Sequence, residues 1–218
     1  AMLVCAAFGT VTGFFIAYLN VPPFIATLAM MEIVYGIGLI VTNATPLGGY
    51  VEQYTNVSNG KFLGINYLIW IAIIVAAITW FIFNMTRHGK YMYAIGGNPQ
   101  AAEVAGVPVK ATLILIYMKA AAMYGLAGFM LGAKAGGASV QTGYGYEMEA
   151  IAACTIGGVS VTGGRGKVSS AIIGVAVFEL LKVALQYLGM NANAQYIAIG
   201  VVIFIAISLD IRKYIARK

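Results

Sequence analysis

Tyr67-Leu68-Ile69-Trp70-Ile71-Ala72-Ile73-Ile74-Val75-Ala76-Ala77-Ile78-Thr79-Trp80-Phe81-Ile82-Phe83 runs for 17 residues without a charge. A bilayer core about 30 Å thick needs about 20 apolar residues per helix, so this stretch reads as a membrane crossing. Working outward, the same signal recurs at 1–19, 24–42, 111–132, 148–162, 168–188 and 195–209. The stretches at 148–162 and 195–209 are short. The former carries Gly157 and Gly158, which predicts a broken or partly re-entrant helix. Such backbone is tolerated at membrane depth only where protein or a water-filled cavity surrounds it. The expected fold is all-α: one polytopic transmembrane helical bundle over 1–218, with about seven spans of which one or two are short or broken.

Composition points the same way. Hydrophobic residues make up 61% of the chain and charged residues 9%, against about 25% charged in soluble domains. Mean hydropathy is +0.88. Twenty charges (13 basic, 7 acidic) do not cover a water-facing surface. This excludes an ordinary soluble domain, a disordered chain and a nucleic-acid binder, although the net charge is +6. The 27 glycines suit closely packed membrane helices. Cys5 and Cys154 lie inside apolar runs and read as small buried hydrophobes, not as a disulfide or metal framework. A chain that is apolar from Ala1, with no basic n-region, does not open like a signal peptide. It is expected to begin inside a membrane helix, as a piece of a longer protein.

The basic residues sort by side. Arg87, Lys90 and Lys110 fall in 84–110, Arg165 and Lys167 in 163–167, and Arg212, Lys213, Arg217 and Lys218 in the tail. Those are 9 of the 13 Lys and Arg. Seven crossings place all three regions on one side, which the positive-inside rule makes the cytoplasm. The C-terminus is then cytoplasmic, while 43–66 and 133–147 face outside with only Lys61 and Lys134. Gly9/Gly13 and Gly128/Gly132 have the GxxxG spacing that lets membrane helices approach.

The stretch 94–110 is the most informative cytoplasmic segment. Asn98 suits an N-cap, Pro99 the first helical position, and Gly106 a left-handed C-terminal position, with Pro108 preventing continuation. The body from Gln100 through Ala101, Ala102, Glu103 and Ala105 is small and Ala-rich. A two-turn helix is unstable alone, so it needs packing. It is either a structured hairpin between spans or a helix that docks into a groove on a cytosolic partner.

This segment resembles the coupling region of permease subunits in bacterial ABC importers of monosaccharides, the ribose and galactose permease family. Further stretches are similar to the same family: Val21-Pro22-Pro23-Phe24, Thr42-Asn43-Ala44-Thr45-Pro46-Leu47, Thr86-Arg87-His88-Gly89-Lys90, Glu147-Met148-Glu149-Ala150, Ile156-Gly157-Gly158, Gly163-Gly164-Arg165-Gly166 and Leu209-Asp210. The surroundings of Cys154 and the 213–218 tail look closest to the galactose/methyl-galactoside branch. The resemblance implies an all-helical permease in the bacterial cytoplasmic (inner) membrane. It would pair with a second permease subunit, ABC ATPase subunits and an extracytoplasmic sugar-binding protein, and carry a neutral monosaccharide. The resemblance also implies N-terminal helices ahead of those read here, in keeping with the expectation that the sequence begins inside a membrane helix of a longer protein. The family usually has Glu-Leu-Asp where Glu147-Met148-Glu149 stands, which keeps the charge.

Two other chemistries compete with transport by a permease subunit. The chain has no Walker A loop: Gly166-Lys167 comes near, but Val168 replaces Ser/Thr and Val161 sits where the first Gly belongs. ATP and Mg therefore belong to a partner subunit, and this chain is expected to bind no cofactor or metal. An intramembrane enzyme needs a nucleophile and base or paired carboxylates within its spans. His88 lies outside them, and Glu32 and Glu179 lie in different spans, so no enzyme is expected. Charges inside spans cost about 2.5–3.5 kcal/mol each. Glu179 and Lys182, three apart, are expected to pair, and Glu32 and Lys119 to pair between helices, as structural neutralisation. A proton-coupled secondary transporter would use such carboxylates as relays, and another solute such as a branched-chain amino acid is a further alternative. Gln141, Tyr144, Tyr146 and Glu147, near the outer end, are the candidate translocation-path residues; an interfacial Tyr belt is the competing reading. Motion of the coupling helix is expected to pass to the flanking spans 67–83 and 111–132.

Overall fold

The computed structural model describes residues 1–215; Arg217 and Lys218 of the basic tail lie outside the described residues. The chain runs α1 (Met2–Leu19), α2 (Pro23–Thr42), β1 (Leu47–Gly48), α3 (Glu52–Asn59), β2 (Lys61–Phe62), β3 (Ile65–Asn66), α4 (Tyr67–Met85), α5 (Arg87–Gly97), α6 (Pro99–Val104), α7 (Val109–Ala135), β4 (Gly137–Ala138), α8 (Tyr146–Ile156), α9 (Val168–Tyr187) and α10 (Ala192–Ile215). Among the described residues six helices are long and apolar enough to cross a bilayer: α1, α2, α4, α7, α9 and α10. The short stretch at 148–162 is the 11-residue α8, which ends at Gly157. At 1.5 Å per residue it is about 16 Å long, half a crossing. The stretch at 195–209 lies within the 24-residue α10, longer than the sequence suggests. Neither α2 nor α4 has a buried residue. Such apolar surface suits lipid as solvent, not water.

Two compact units form, Ala1–Ile78 with Glu103–Gly143, and Thr79–Ala102 with the chain from Tyr144 on. Within the first, α1 lies antiparallel along α7. A Cβ on Gly13 would stand 2.8 Å from Ile114 Cα, and one on Gly9 would fall on the Tyr117 carbonyl oxygen. The Gly9/Gly13 spacing is therefore a true backbone contact. Gly128/Gly132 is not a second one. Nothing lies near Gly128, and Gly132 meets the Tyr54 hydroxyl of α3, outside the spans. At the far end of the α1–α7 pair, Lys110 Nζ sits 5.0 Å from the Tyr18 ring centre. The strands β1 and β4 pair antiparallel, Leu47 opposite Ala138 and Gly48 opposite Gly137. This joins the two stretches, 43–66 and 133–147, that the charge pattern assigns to one side. The strands β2 and β3 form a hairpin around Leu63 and Gly64, both at positive φ (54° and 79°), as the tightest hairpin turns require.

Within the second unit, α8 and α9 form an antiparallel hairpin. A Cβ on Gly174 would fall on the Ala153 carbonyl oxygen, and one on Gly157 on that of Ser170. The core is Ala152, Ala153, Phe178 and Ile199, with Ile156 and Ile203 packed against it from α8 and α10. The expected Glu179–Lys182 pair exists at 3.4 Å, but Lys182 is closer to Glu149 of α8, at 2.8 Å. The expected Glu32–Lys119 pair does not form. Glu32 is on the exposed surface of α2 and Lys119 is half-buried on α7. Sequence depth alone does not fix which way a helix faces.

Candidate functional site

The region expected as a loop with one short helix is mostly helical. Thr86 interrupts the apolar helix, and its hydroxyl accepts from the Gly89 N–H at 3.1 Å, capping α5. The chain then turns so tightly that a Cβ on Gly89 would fall on the carbonyl oxygens of Ile82 and Phe83. On α5, Ile95 is buried. Tyr93 packs edge-on against Phe83, ring centres 5.8 Å apart, and donates its hydroxyl to the Gly166 carbonyl at 2.8 Å.

At the end of α5, Asn98 Oδ1 accepts from the Ala101 N–H at 3.0 Å, while the Asn98 N–H still donates to Ala94. One asparagine thus closes α5 and opens α6, with Pro99 in the first helical position, where no N–H is needed. At the other end Gly106 has φ +82° and donates to Glu103 at 3.0 Å. Gln100, Ala101, Glu103 and Ala105 are exposed, and Val104 stands 91% exposed. Ala102 is the exception at 4%. It is the buried position of α6, so of the residues expected to couple, Ala102 lies inside while Gln100, Ala101, Glu103 and Ala105 lie outside. Val104, overlooked in the sequence as one apolar residue among many, is an apolar side chain of α6 held almost wholly in the open.

The loop after α8 belongs to the same place. Gly163 (φ +90°) and Gly164 (φ +71°) lie on Gly96 and Gly97, with a Cβ on Gly164 only 2.7 Å from the Gly97 nitrogen. Asp210 of α10 accepts from Ser160 Oγ at 3.0 Å and from the Val161 N–H at 3.1 Å. The helix α5, the 157–167 loop and Asp210 of α10 therefore meet within the second unit. Sequence reading missed Tyr93, Gly96 and Asp210 as partners; the one signal was a lone Asp closing a long apolar run.

The candidate path residues are less concentrated. Tyr146 and Glu147 are exposed at the start of α8, Tyr144 is exposed just before it, and Gln141 is exposed in the first unit. Glu147 and Glu149 occupy the first turn of α8, where the helix dipole favours carboxylates. A groove lined by Gln53, Asn56, Val57, Tyr67, Trp70, Ile71 and Ile74 has almost wholly apolar walls, which do not suit a sugar. Among the described residues no cluster of three or more His, Cys, Asp or Glu could hold a metal.

Six helices long and apolar enough to cross a bilayer, with the capped helices α5 and α6 between two of them in the chain, mark a multi-pass membrane protein. The chain belongs to the family described as branched-chain amino acid transport system / permease component, which matches residues 1–207. It is 41% identical over 220 residues to the galactose/methyl galactoside import permease protein of Haemophilus influenzae, covering 98% of this chain and 66% of that protein. The Escherichia coli protein of the same name is 40% identical over 227 residues, 100% of this chain and 68% of its own length. The ribose import permease protein of Escherichia coli is 36% identical over 217 residues, 98% and 68% respectively. The chain spans about two thirds of the length of these curated relatives. No solved structure matches it.

Proposed function

We propose that this chain is the membrane-spanning part of an ATP-driven importer for a neutral monosaccharide, galactose-like before ribose-like. The ranking follows the relatives, of which the galactose/methyl galactoside permeases are the more similar. It is a transport component, not an enzyme. ATP and Mg are handled by a separate ABC ATPase subunit, a second permease subunit completes the pathway, and an extracytoplasmic binding protein delivers the sugar. The protein sits in the bacterial inner membrane with its C-terminus in the cytoplasm.

One observation carries this reading: α6 is a two-turn helix capped at both ends, seated through Ala102, with Val104 and Gln100 projecting. So short a helix is held by its caps and its seat, and it presents a small convex surface suited to a groove on a soluble partner. The sugar path is placed at Tyr144, Tyr146 and Glu147, whose aromatic faces and hydrogen-bonding groups match a polyhydroxylated cargo; Gln141, expected beside them from the sequence, belongs to the other unit. The test is reconstitution of the complete permease with its ATPase and binding protein in proteoliposomes. Uptake of labelled galactose that needs internal ATP supports the reading. Uptake driven by a proton gradient without any ATPase makes it a secondary transporter, and ATP-driven uptake of leucine in place of galactose moves the cargo to the amino-acid class.

A further inference from the structure

We propose that the stroke delivered to α6 leaves through a glycine joint between α5 and the 157–167 loop, so that the α8–α9 hairpin, and not α7, is the first membrane element to respond. The proposal rests on the docking reading of α6 and adds the route by which the docked helix acts.

The joint is backbone on backbone. A Cβ on Gly96 would fall on the Gly164 nitrogen, one on Gly163 would stand 3.2 Å from Gly96 Cα, and one on Gly164 2.7 Å from the Gly97 nitrogen. With no side chain between them, a displacement of α5 has no rotamer to absorb it; packed contacts of this kind shift as units. Two further links fix the loop. Tyr93 holds Gly166 through its hydroxyl, and Asp210 holds Ser160 and Val161. The loop leaves α8 at Gly157, which lies on the Ser170 carbonyl of α9, and it enters α9 directly at Val168. A push on α5 therefore reaches α8, α9 and α10 through tight contacts.

The route from α6 to α7 is different. It passes through Ala105, Gly106 at φ +82°, Val107 and Pro108, a four-residue link in which the Gly106 N–H donates back to Glu103 of α6. Since α8 begins at Tyr146 and Glu147, the hairpin carries a displacement from the joint to the candidate sugar path. Gly96, Tyr93 and Asp210 are thereby positioning residues for transport, none of them touching cargo.

The test uses the complete permease bound to its ATPase, with Tyr144→Cys or Lys134→Cys as reporters for α8 and α7 respectively. Maleimide labelling rates are compared in the nucleotide-free and ATP/vanadate-trapped states, which needs no knowledge of the cargo. The expected result is a rate change of about tenfold at Tyr144→Cys, abolished by Gly96→Ala and reduced by Asp210→Asn, with the ATPase still co-purifying. Asp210 lies off the docking helix, so its variant keeps the test valid if Gly96→Ala folds poorly. A change at Tyr144→Cys that persists in both variants overturns the proposal, as does a change at Lys134→Cys alone. Failure of the ATPase to bind the unaltered permease instead removes the docking reading.

Discussion

Lys182 of α9 donates to the Glu149 carboxylate of α8 at 2.8 Å, and this bond bridges the open end of the α8–α9 hairpin. The Glu179 carboxylate, one turn away on α9, stands 3.4 Å from the same ammonium. The pair lies about 8 Å from the C-terminal end of α9, at a depth where a lone charge is costly. A half-length helix such as α8 has few contacts to keep it in place. One ion pair near its N-terminus and two glycine contacts near its C-terminus define its register on α9.

Removing Lys182 leaves two carboxylates facing each other. Lys182→Met in the full permease is expected to lower stability by about 2–3 kcal/mol, less than for a wholly buried pair because both side chains are partly exposed. Adding Glu149→Gln should restore much of it. Thermal unfolding in lipid nanodiscs measures both; equal damage from the single and the double variant would show that the pair is not coupled.

The α1–α7 contact gives a covalent check. A Cβ on Gly125 would stand 3.0 Å from Cys5 Sγ and 3.1 Å from Cys5 Cβ, close to disulfide spacing. Gly125→Cys should therefore cross-link to Cys5 on mild oxidation in membranes, seen as a mobility shift that reductant reverses. Adding Gly13→Val, which forces α1 away from Ile114, should suppress the cross-link. No shift in the single variant would mean the two helices are not paired as described.

Tyr54 ties α3 to α7 by donating its hydroxyl to the Phe129 carbonyl at 2.6 Å. Tyr54→Phe should cost about 1 kcal/mol. Burial, and then the neighbouring Tyr50, raise the Tyr54 phenol above its ordinary 10.0. The folded state thus favours the protonated form. Its contribution is fully present below the unfolded value and is lost as pH rises beyond it. A pH titration of stability should show the wild type losing ground above 10.0 more steeply than Tyr54→Phe.

The spans were legible because lipid leaves little choice: α2 and α4 need only length and apolarity, and hydropathy reports both. The caps of α6 were legible because Asn98, Pro99 and Gly106 are local backbone chemistry. What lay outside the sequence was direction and partnership. Glu149 and Lys182 are 33 residues apart, and nothing local tells Lys182 to prefer the other helix over Glu179. Glu32 and Lys119 share a depth in the sequence but form no ion pair. The helix α5 escaped notice because Arg87-His88-Gly89-Lys90 reads as a polar loop, while its cap, Thr86, follows directly on an apolar span. Ala102 shows the same limit: its small size was readable, the surface it seats against was not.

The docking face can be separated from the seat. Ala101→Trp and Val104→Asp alter exposed positions and should abolish ATPase association while leaving membrane insertion intact. Ala102→Trp should instead lower the amount of folded permease, because position 102 is filled. If Ala102→Trp is well folded and selectively loses the ATPase, the seat has been misidentified.

The most direct measurement of the whole account is the side of the membrane on which Gln100 lies. Gln100→Cys in the complete permease should react with an impermeant maleimide only in inside-out vesicles, and bound ATPase should protect it. Labelling from the outer face of intact cells would contradict the account.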